Sequence, residues 1–257
     1  MRLATSMWMT LCVLCVLCAA GSVRAASDAS DASDASVAAP LRVQIVVALC
    51  DVATQGVVPP ANPRLCDATL PRDNLYWGAL YGVRAHLPQA LGLKWHVDPT
   101  SAGASEALSA TTHISGRPVE LRARAYANIR QAMAVFFHAV GTDDGTDLVV
   151  FVGHDGLMDG PVDASWLAHR ASRPPRVAVL ACSSASYFGP HLQSLGADAV
   201  LMTTNLMAPE AYVVAALVRA VAEDNAPGQV REQTAAAYAR MQRISLAAAR
   251  RLFAANL

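Results

Sequence analysis

Lysine is almost absent from this chain: Lys94 is the only one, and arginine supplies the other basic side chains. The formal charges cancel, 20 Lys and Arg against 20 Asp and Glu, and no basic stripe or RNA-binding signature stands out. That balance argues against nucleic acid as a partner. No apolar run is long enough for a confident membrane span. No G-x-S-x-G turn surrounds Ser183 or Ser184, which discounts a serine hydrolase. No four-cysteine zinc pattern occurs, and His154, Asp155, His169 and His191 match no metal-ligand spacing, so no metal and no cofactor is expected. No internal repeat is present apart from one low-complexity stretch.

What is present begins with an export signal. Arg2 supplies a positive start, Met7 to Ala20 the apolar middle, and Val23-Arg24-Ala25 a small-residue cleavage site. A lipoprotein reading would use Cys18, but Leu17 occupies the place of a small residue. "SDASDASDAS", Ser27 to Ser36, is too polar to fold and reads as a linker. The expected organisation is therefore a signal peptide over 1–25, a linker over 26–40 and a single α/β domain over 41–257. The mature protein is expected in the periplasm or secreted, with no stable membrane insertion after signal cleavage.

Of six cysteines, Cys12, Cys15 and Cys18 leave with the signal, and Cys50, Cys66 and Cys182 remain. An odd number in an oxidising compartment leaves one thiol unpaired. Cys50 and Cys66 are close in sequence and flank a Pro-rich loop, so they are the easier pair, and Cys182 is then the free thiol. The alternative is that all three are small buried hydrophobes.

Short apolar runs alternate with helical patterns, which predicts βαβ units and a mostly parallel sheet between helices. "LRVQIVVAL" (Leu41 to Leu49) reads as a buried strand, and "LKWHV" as a short one. Asp73 or Asn74 should cap a helix that Pro88 ends or kinks. Thr100 to Ser115 reads as a loop or hairpin. "ELRARAYANIRQAMAVFFHAV", Glu120 to Val140, reads as one helix closed by Gly141. "AVLMTT" from Ala199 is a further strand, and "APEAYVVAALVRAVAE" a helix with Pro209 in its first turn. A last helix should span Val230 to Ala254.

Two strands end on chemistry. "LVVFVGHDG" from Leu148 runs into His154, and "VAVLACSSASYF" from Val177 runs into Cys182. About twenty residues separate them, with "DASWLAHR" as a candidate helix, which suits a crossover between parallel neighbours. Both side chains should then emerge at the C-terminal edge of the sheet, where open α/β sheets place ligands. A nearby imidazolium favours the thiolate over the ordinary thiol, whose pKa is ~8.5. Cys182 could attack a carbonyl carbon while His154 serves as general acid and base. The backbone N–H of Cys182 and that of Asp155 or Gly156 are the expected oxyanion donors.

An apolar strand ending in His and a nearby Gly, followed by one ending in Ala-Cys, resembles the cysteine peptidases grouped with caspases, legumains, gingipains and clostripain. The order strand, helix, strand, helix, His strand, Cys strand, strand, helix is similar as well, over roughly Leu41 to Ala222. The resemblance implies a caspase-like three-layer sandwich with Cys182 as nucleophile and His154 as acid/base. It also implies Gly directly after the His; here Asp155 intervenes. The stretches "NLYWGALYGV", "VGHDGLMD" and "LMAPEAY" are similar to a group of exported bacterial proteins, a likeness that speaks to fold more than to activity.

Other residues have weaker claims. Asp51, just after the first strand, could bind a basic or amide group or be a plain loop residue. Thr203, Thr204 and Asn205 could wall the pocket or cap the following helix. Asp155 could orient His154, and it and Asp159 read equally as turn residues. Tyr76, Trp77 and Tyr81 could flank a ligand, although aromatics at helical spacing are more often core. The expectation is an exported cysteine-dependent peptidase or amidase acting on a peptide or small amide; the alternative is a non-catalytic binding domain of the same fold.

Overall fold

The structure is a computed structural model that describes residues 39–57, 59–100 and 102–254. The expected signal, and the linker up to residue 38, lie outside the described residues. In chain order the elements are β1 (Leu41–Ala48), α1 (Val52–Gln55), α2 (Val83–Leu91), β2 (His96–Val97), β3 (Glu106–Ile114), β4 (Arg117–Tyr126) and α3 (Ile129–Val140). They continue with β5 (Leu148–Val152), β6 (Arg176–Leu180), α4 (Ser184–Tyr187), α5 (Gly189–Ser194) and β7 (Asp198–Thr203). The last are α6 (Ala211–Ala222), α7 (Pro227–Gln242), α8 (Leu246–Leu252) and β8 (Phe253–Ala254).

The eight strands form a mixed sheet in the order β2-β3-β4-β1-β5-β6-β7-β8. From β4 to β7 every pairing is parallel; the β2–β3–β4 edge and the β7–β8 edge are antiparallel. The central strands are apolar on both faces because both are covered. Val43, Ile45, Val47, Val150, Val152, Ala178 and Leu180 face α2, α6 and α7. Val46, Val149, Phe151, Val177 and Val179 face α3, with Phe136, Phe137 and Phe188 packed among them. Two cores, one on each face, make three layers, the α/β arrangement expected from the alternation of strands and helices.

Several elements differ from the pattern reading. Glu120 to Tyr126 is strand, not helix. Val119, Leu121, Ala123 and Ala125 point into the core while Arg122 and Arg124 point away, a period of two. Arg and Ala favour helix intrinsically, but the hairpin with β3 overrides them. The helix begins only at Ile129, where the Asn128 side chain accepts the Gln131 amide at 3.1 Å.

The expected helix from Asp73 is a series of turns up to Gly82. A Cβ at Gly78 or Gly82 would collide with the backbone of Arg72 or Trp77, so the chain folds back on itself too tightly for a helix. Pro88 lies inside α2 instead of ending it. The Arg84 carbonyl that Pro88 cannot serve accepts Trp95 Nε1 at 3.0 Å instead. The crossover holds a short 3-10 turn, Ala164–Leu167, and not a full helix. Pro209 lies outside α6, whose N-cap is Glu210. The last expected helix is broken at Arg243, which takes a left-handed φ of 54°, and the chain ends its described part as strand β8.

Candidate active site

Parallel strands β5 and β6 are paired up to Val152 opposite Leu180. His154 follows Val152 by two residues and Cys182 follows Leu180 by two. The equal offset from a paired position brings both residues to the C-terminal edge of the sheet. The step to His154 needs glycine. Gly153 has φ +151°, its amide donates to Leu180 O at 3.2 Å, and a Cβ would lie 2.8 Å from the Ala48 carbonyl oxygen.

The His154 ring is mostly buried, and its Nε2 hydrogen-bonds Asp159 Oδ2 at 2.8 Å. Asp159, which reads in sequence as a turn residue, therefore orients the imidazole; Asp155 does not. Asp155 is fully buried, and its Oδ1 accepts the Leu157 amide at 3.0 Å while Oδ2 has no partner among the described residues. Burial pushes the Asp155 carboxyl up to about 7. Gly156 is packed against Ile129 and Met133 of α3, with a Cβ there only 2.8 Å from Met133 Cε.

Cys182 is the one free cysteine among the described residues and is partly buried. Its sulfur accepts the Met207 amide at 3.5 Å and contacts the Met207 carbonyl at 3.7 Å. Immediately afterwards the chain turns sharply: Ser183 is left-handed, with φ 50°, before α4 begins. Strain of this kind in a non-glycine residue persists only where the surroundings impose it. Here Ser183 N donates to Asn205 O at 3.0 Å, and Ser184 Oγ donates to Val179 O at 2.9 Å. Thr203 Oγ1 bonds both Ala181 O and Ser184 Oγ. Ser184 is thus an internal brace, fully buried, and Thr203 braces the same turn from β7.

The Cys182 side of this edge is aromatic and acidic. Burial first, then the neighbouring Cys182 and Glu210, pushes the Tyr76 hydroxyl up to about 12. Tyr238, raised first by burial, is also influenced by Glu210 and Cys182, and its hydroxyl accepts the Ala208 amide at 3.1 Å. Tyr76 is therefore near the thiol, whereas Trp77 is core and donates its Nε1 to Glu106 at 3.0 Å. Tyr81 packs edge-on against His86 and Tyr212.

The remaining sequence candidates have structural occupations. Asp51 caps α1, accepting Ala53 N at 3.2 Å and Thr54 Oγ1 at 2.7 Å. Thr204 Oγ1 donates to Arg251 O at 2.7 Å and ties β7 to the end of the described chain. Asn205 accepts its neighbour's amide on Oδ1 and braces Ser183 through its carbonyl. Cys50 and Cys66 are joined in a disulfide with Cα atoms 4.5 Å apart. Beside it the buried Asn74 accepts Cys50 N at 3.1 Å and donates to Cys50 O at 2.8 Å. Among the described residues no group of three His, Cys, Asp or Glu could hold a metal, and no helix is long and apolar enough to cross a membrane.

Sequence reasoning missed the Met207 contact with the thiol and the orienting role of Asp159. Both residues sit in loops whose path follows from tertiary packing. A cleft of about 770 Å³ opens at the opposite edge of the sheet, between Arg42, Arg117, Arg176, Asp143 and Asp147. Two of its arginines have carboxylate partners, Arg42 with Glu120 and Arg117 with Asp224, and no cysteine or histidine lines it. Chemistry therefore favours the C-terminal edge, where a thiol and an oriented imidazole stand at the ends of adjacent strands. No family model, curated protein or solved structure matches the chain.

Proposed function

We propose that the chain is an exported cysteine-dependent hydrolase of caspase-like fold, a peptidase or amidase with Cys182 as nucleophile and His154 as general acid and base. The observation that carries this reading is the shared register of β5 and β6, which gives His154 and Cys182 equal offsets from the Val152–Leu180 pair. The Asp159–His154 hydrogen bond supports it by holding the ring in one orientation. In the reaction the Cys182 thiolate adds to the carbonyl carbon, and the oxyanion is held by backbone N–H groups of Cys182 and of Asp155 or Gly156. His154 then gives a proton to the departing amine, leaving a thioester. Water, deprotonated by His154, cleaves the thioester and restores the thiol.

A second reading, a non-catalytic binding domain, draws on the Met207 backbone contacts that already engage the sulfur and on Asp155 where the resemblance implies Gly. One experiment separates the two. Cys182 in the mature protein is alkylated with iodoacetamide at pH 6.5 and read by peptide mapping, beside His154→Ala. The hydrolase reading expects at least ~10-fold slower alkylation in the variant, since a neighbouring imidazolium favours thiolate. Equal, slow alkylation in both proteins selects the binding domain.

A further inference from the structure

We infer that Asp155 is a positioning residue of this site: its uncharged carboxyl closes the turn that holds Asp159 on the His154 ring, and loss of its proton opens that turn. The inference rests on the Cys182–His154 reading and adds the control of that pair. It also gives a role to the residue that stands where the resemblance implies Gly. Asp155 is the hub of the loop from Gly153 to Asp159. Its Oδ1 accepts the Leu157 amide at 3.0 Å, and its carbonyl accepts the Met158 amide at 3.1 Å. The next residue, Asp159, is the one that bonds His154 Nε2. One residue therefore fixes two consecutive amides immediately before the carboxylate that orients the ring. The middle of the loop is seated on α3, with Gly156 against Ile129 and Met133 and with Leu157 in the core. Asp159 itself is half-exposed, and an ion pair at such a surface is weak. The closed turn, more than the attraction within the pair, keeps Asp159 in place.

The carboxyl that closes the turn is badly placed to carry a charge. It is fully buried, its Oδ2 has no partner, and it makes no ion pair among the described residues. An ionised carboxylate without a partner is costly away from water. The charged groups around it offer no relief. His154 gives its Nε2 to Asp159. On α3, Arg130 lies over the Trp166 ring at 4.6 Å and donates to Pro161 O, while His138 packs against His169. Arg124, on the face of β4 that shares this core, lies by the Tyr126 hydroxyl, and Asp51, beyond β1, caps α1. The charge that does act on Asp155 is that of Asp159, and it has the same sign. Burial first, then Asp159, raises the carboxyl to about 7, against ~3.9 in water. An Asp155 turned out to solvent ionises readily, so the open turn gains on the closed one as pH rises from about 4 to about 7 and then levels off. Opening frees the Leu157 and Met158 amides and carries Asp159 off the imidazole.

The test follows hydrogen exchange at the Leu157 and Met158 amides, and iodoacetamide alkylation of Cys182, from pH 5 to pH 8 in the unaltered protein and in Asp155→Asn. Asn keeps an acceptor for the Leu157 amide and does not ionise. In the unaltered protein the protection factors of both amides are expected to fall at least ~10-fold over that range, as linkage to a raised carboxyl requires. In Asp155→Asn they should stay nearly level. The alkylation rate of Asp155→Asn relative to the unaltered protein should rise roughly threefold from pH 5 to pH 8, because a thiol without its imidazolium is only about one-quarter ionised at the upper value. Protection factors that change alike in both proteins overturn the inference. So do turn amides as protected as those of β5 at every pH, which would open only with the whole fold. A flat alkylation ratio beside pH-dependent exchange overturns the link from the turn to His154. If His154→Ala leaves alkylation unchanged, the dyad reading fails, while the amides still decide whether the turn opens.

Discussion

Replacing Asp155 by Asn should stabilise the fold most at pH 8, by about a third as much at pH 5, and hardly at all below pH 4. The carboxyl is fully buried, with one oxygen on the Leu157 amide and the other without a partner among the described residues. Desolvation, aided by the charge of Asp159 and opposed by the Leu157 and Met158 amides, raises it from 3.8 to about 7. In the unfolded chain an aspartate ionises near ~3.9. Between these two values the native state retains a proton that the unfolded chain has released, so stability falls as pH rises from about 4 to about 7 and then levels off. A shift of roughly three pH units at ~1.4 kcal/mol each bounds the effect at ~4 kcal/mol, and relaxation of the site reduces it to about 2–4 kcal/mol. Asn keeps an acceptor for the Leu157 amide and does not ionise. Urea unfolding of both proteins at pH 5, 6, 7 and 8 measures the difference. Parallel stability curves across that range would refute the reasoning, because they would mean that the carboxyl is solvated or already ionised in the fold.

Two further outcomes follow from the geometry. Gly153→Ala places a Cβ against the Ala48 carbonyl at an unfavourable φ, so it should destabilise by ~1–3 kcal/mol in urea and slow Cys182 alkylation by displacing His154. Wild-type stability with unchanged alkylation would show that the strand end tolerates the change. Replacing both Cys50 and Cys66 by Ser opens a loop of sequence separation 16 and should cost ~3 kcal/mol, seen as a lower thermal midpoint. The affected loop leads to Asn74 and Tyr76, so Cys182 reactivity should change with it, and a variant equal to the parent in both respects would count against a role for this bridge at the site.

Strands β1, β5, β6 and β7 were legible because each is a short, largely apolar run bounded by turn chemistry, buried on both faces. Their parallel pairing followed from the residues available for crossovers. Strand β4 was illegible for the opposite reason. Its Arg-Ala alternation has strong helix propensity, and only the neighbouring β3 and β1 make its period of two decisive. The two-residue strand β8 carries no pattern of its own and exists through its pairing with β7.

The site divides in the same way. That His154 and Cys182 each stand just past a buried strand was determined by local sequence, since each follows a short apolar run. What orients the ring, braces the turn after the thiol and stands beside it was decided by tertiary structure. Asp159, Thr203 and Met207 reach the site from loops and a strand end separated in the chain. Backbone period is written in neighbouring residues, whereas hydrogen bonds between distant segments depend on where the whole sheet brings its loops.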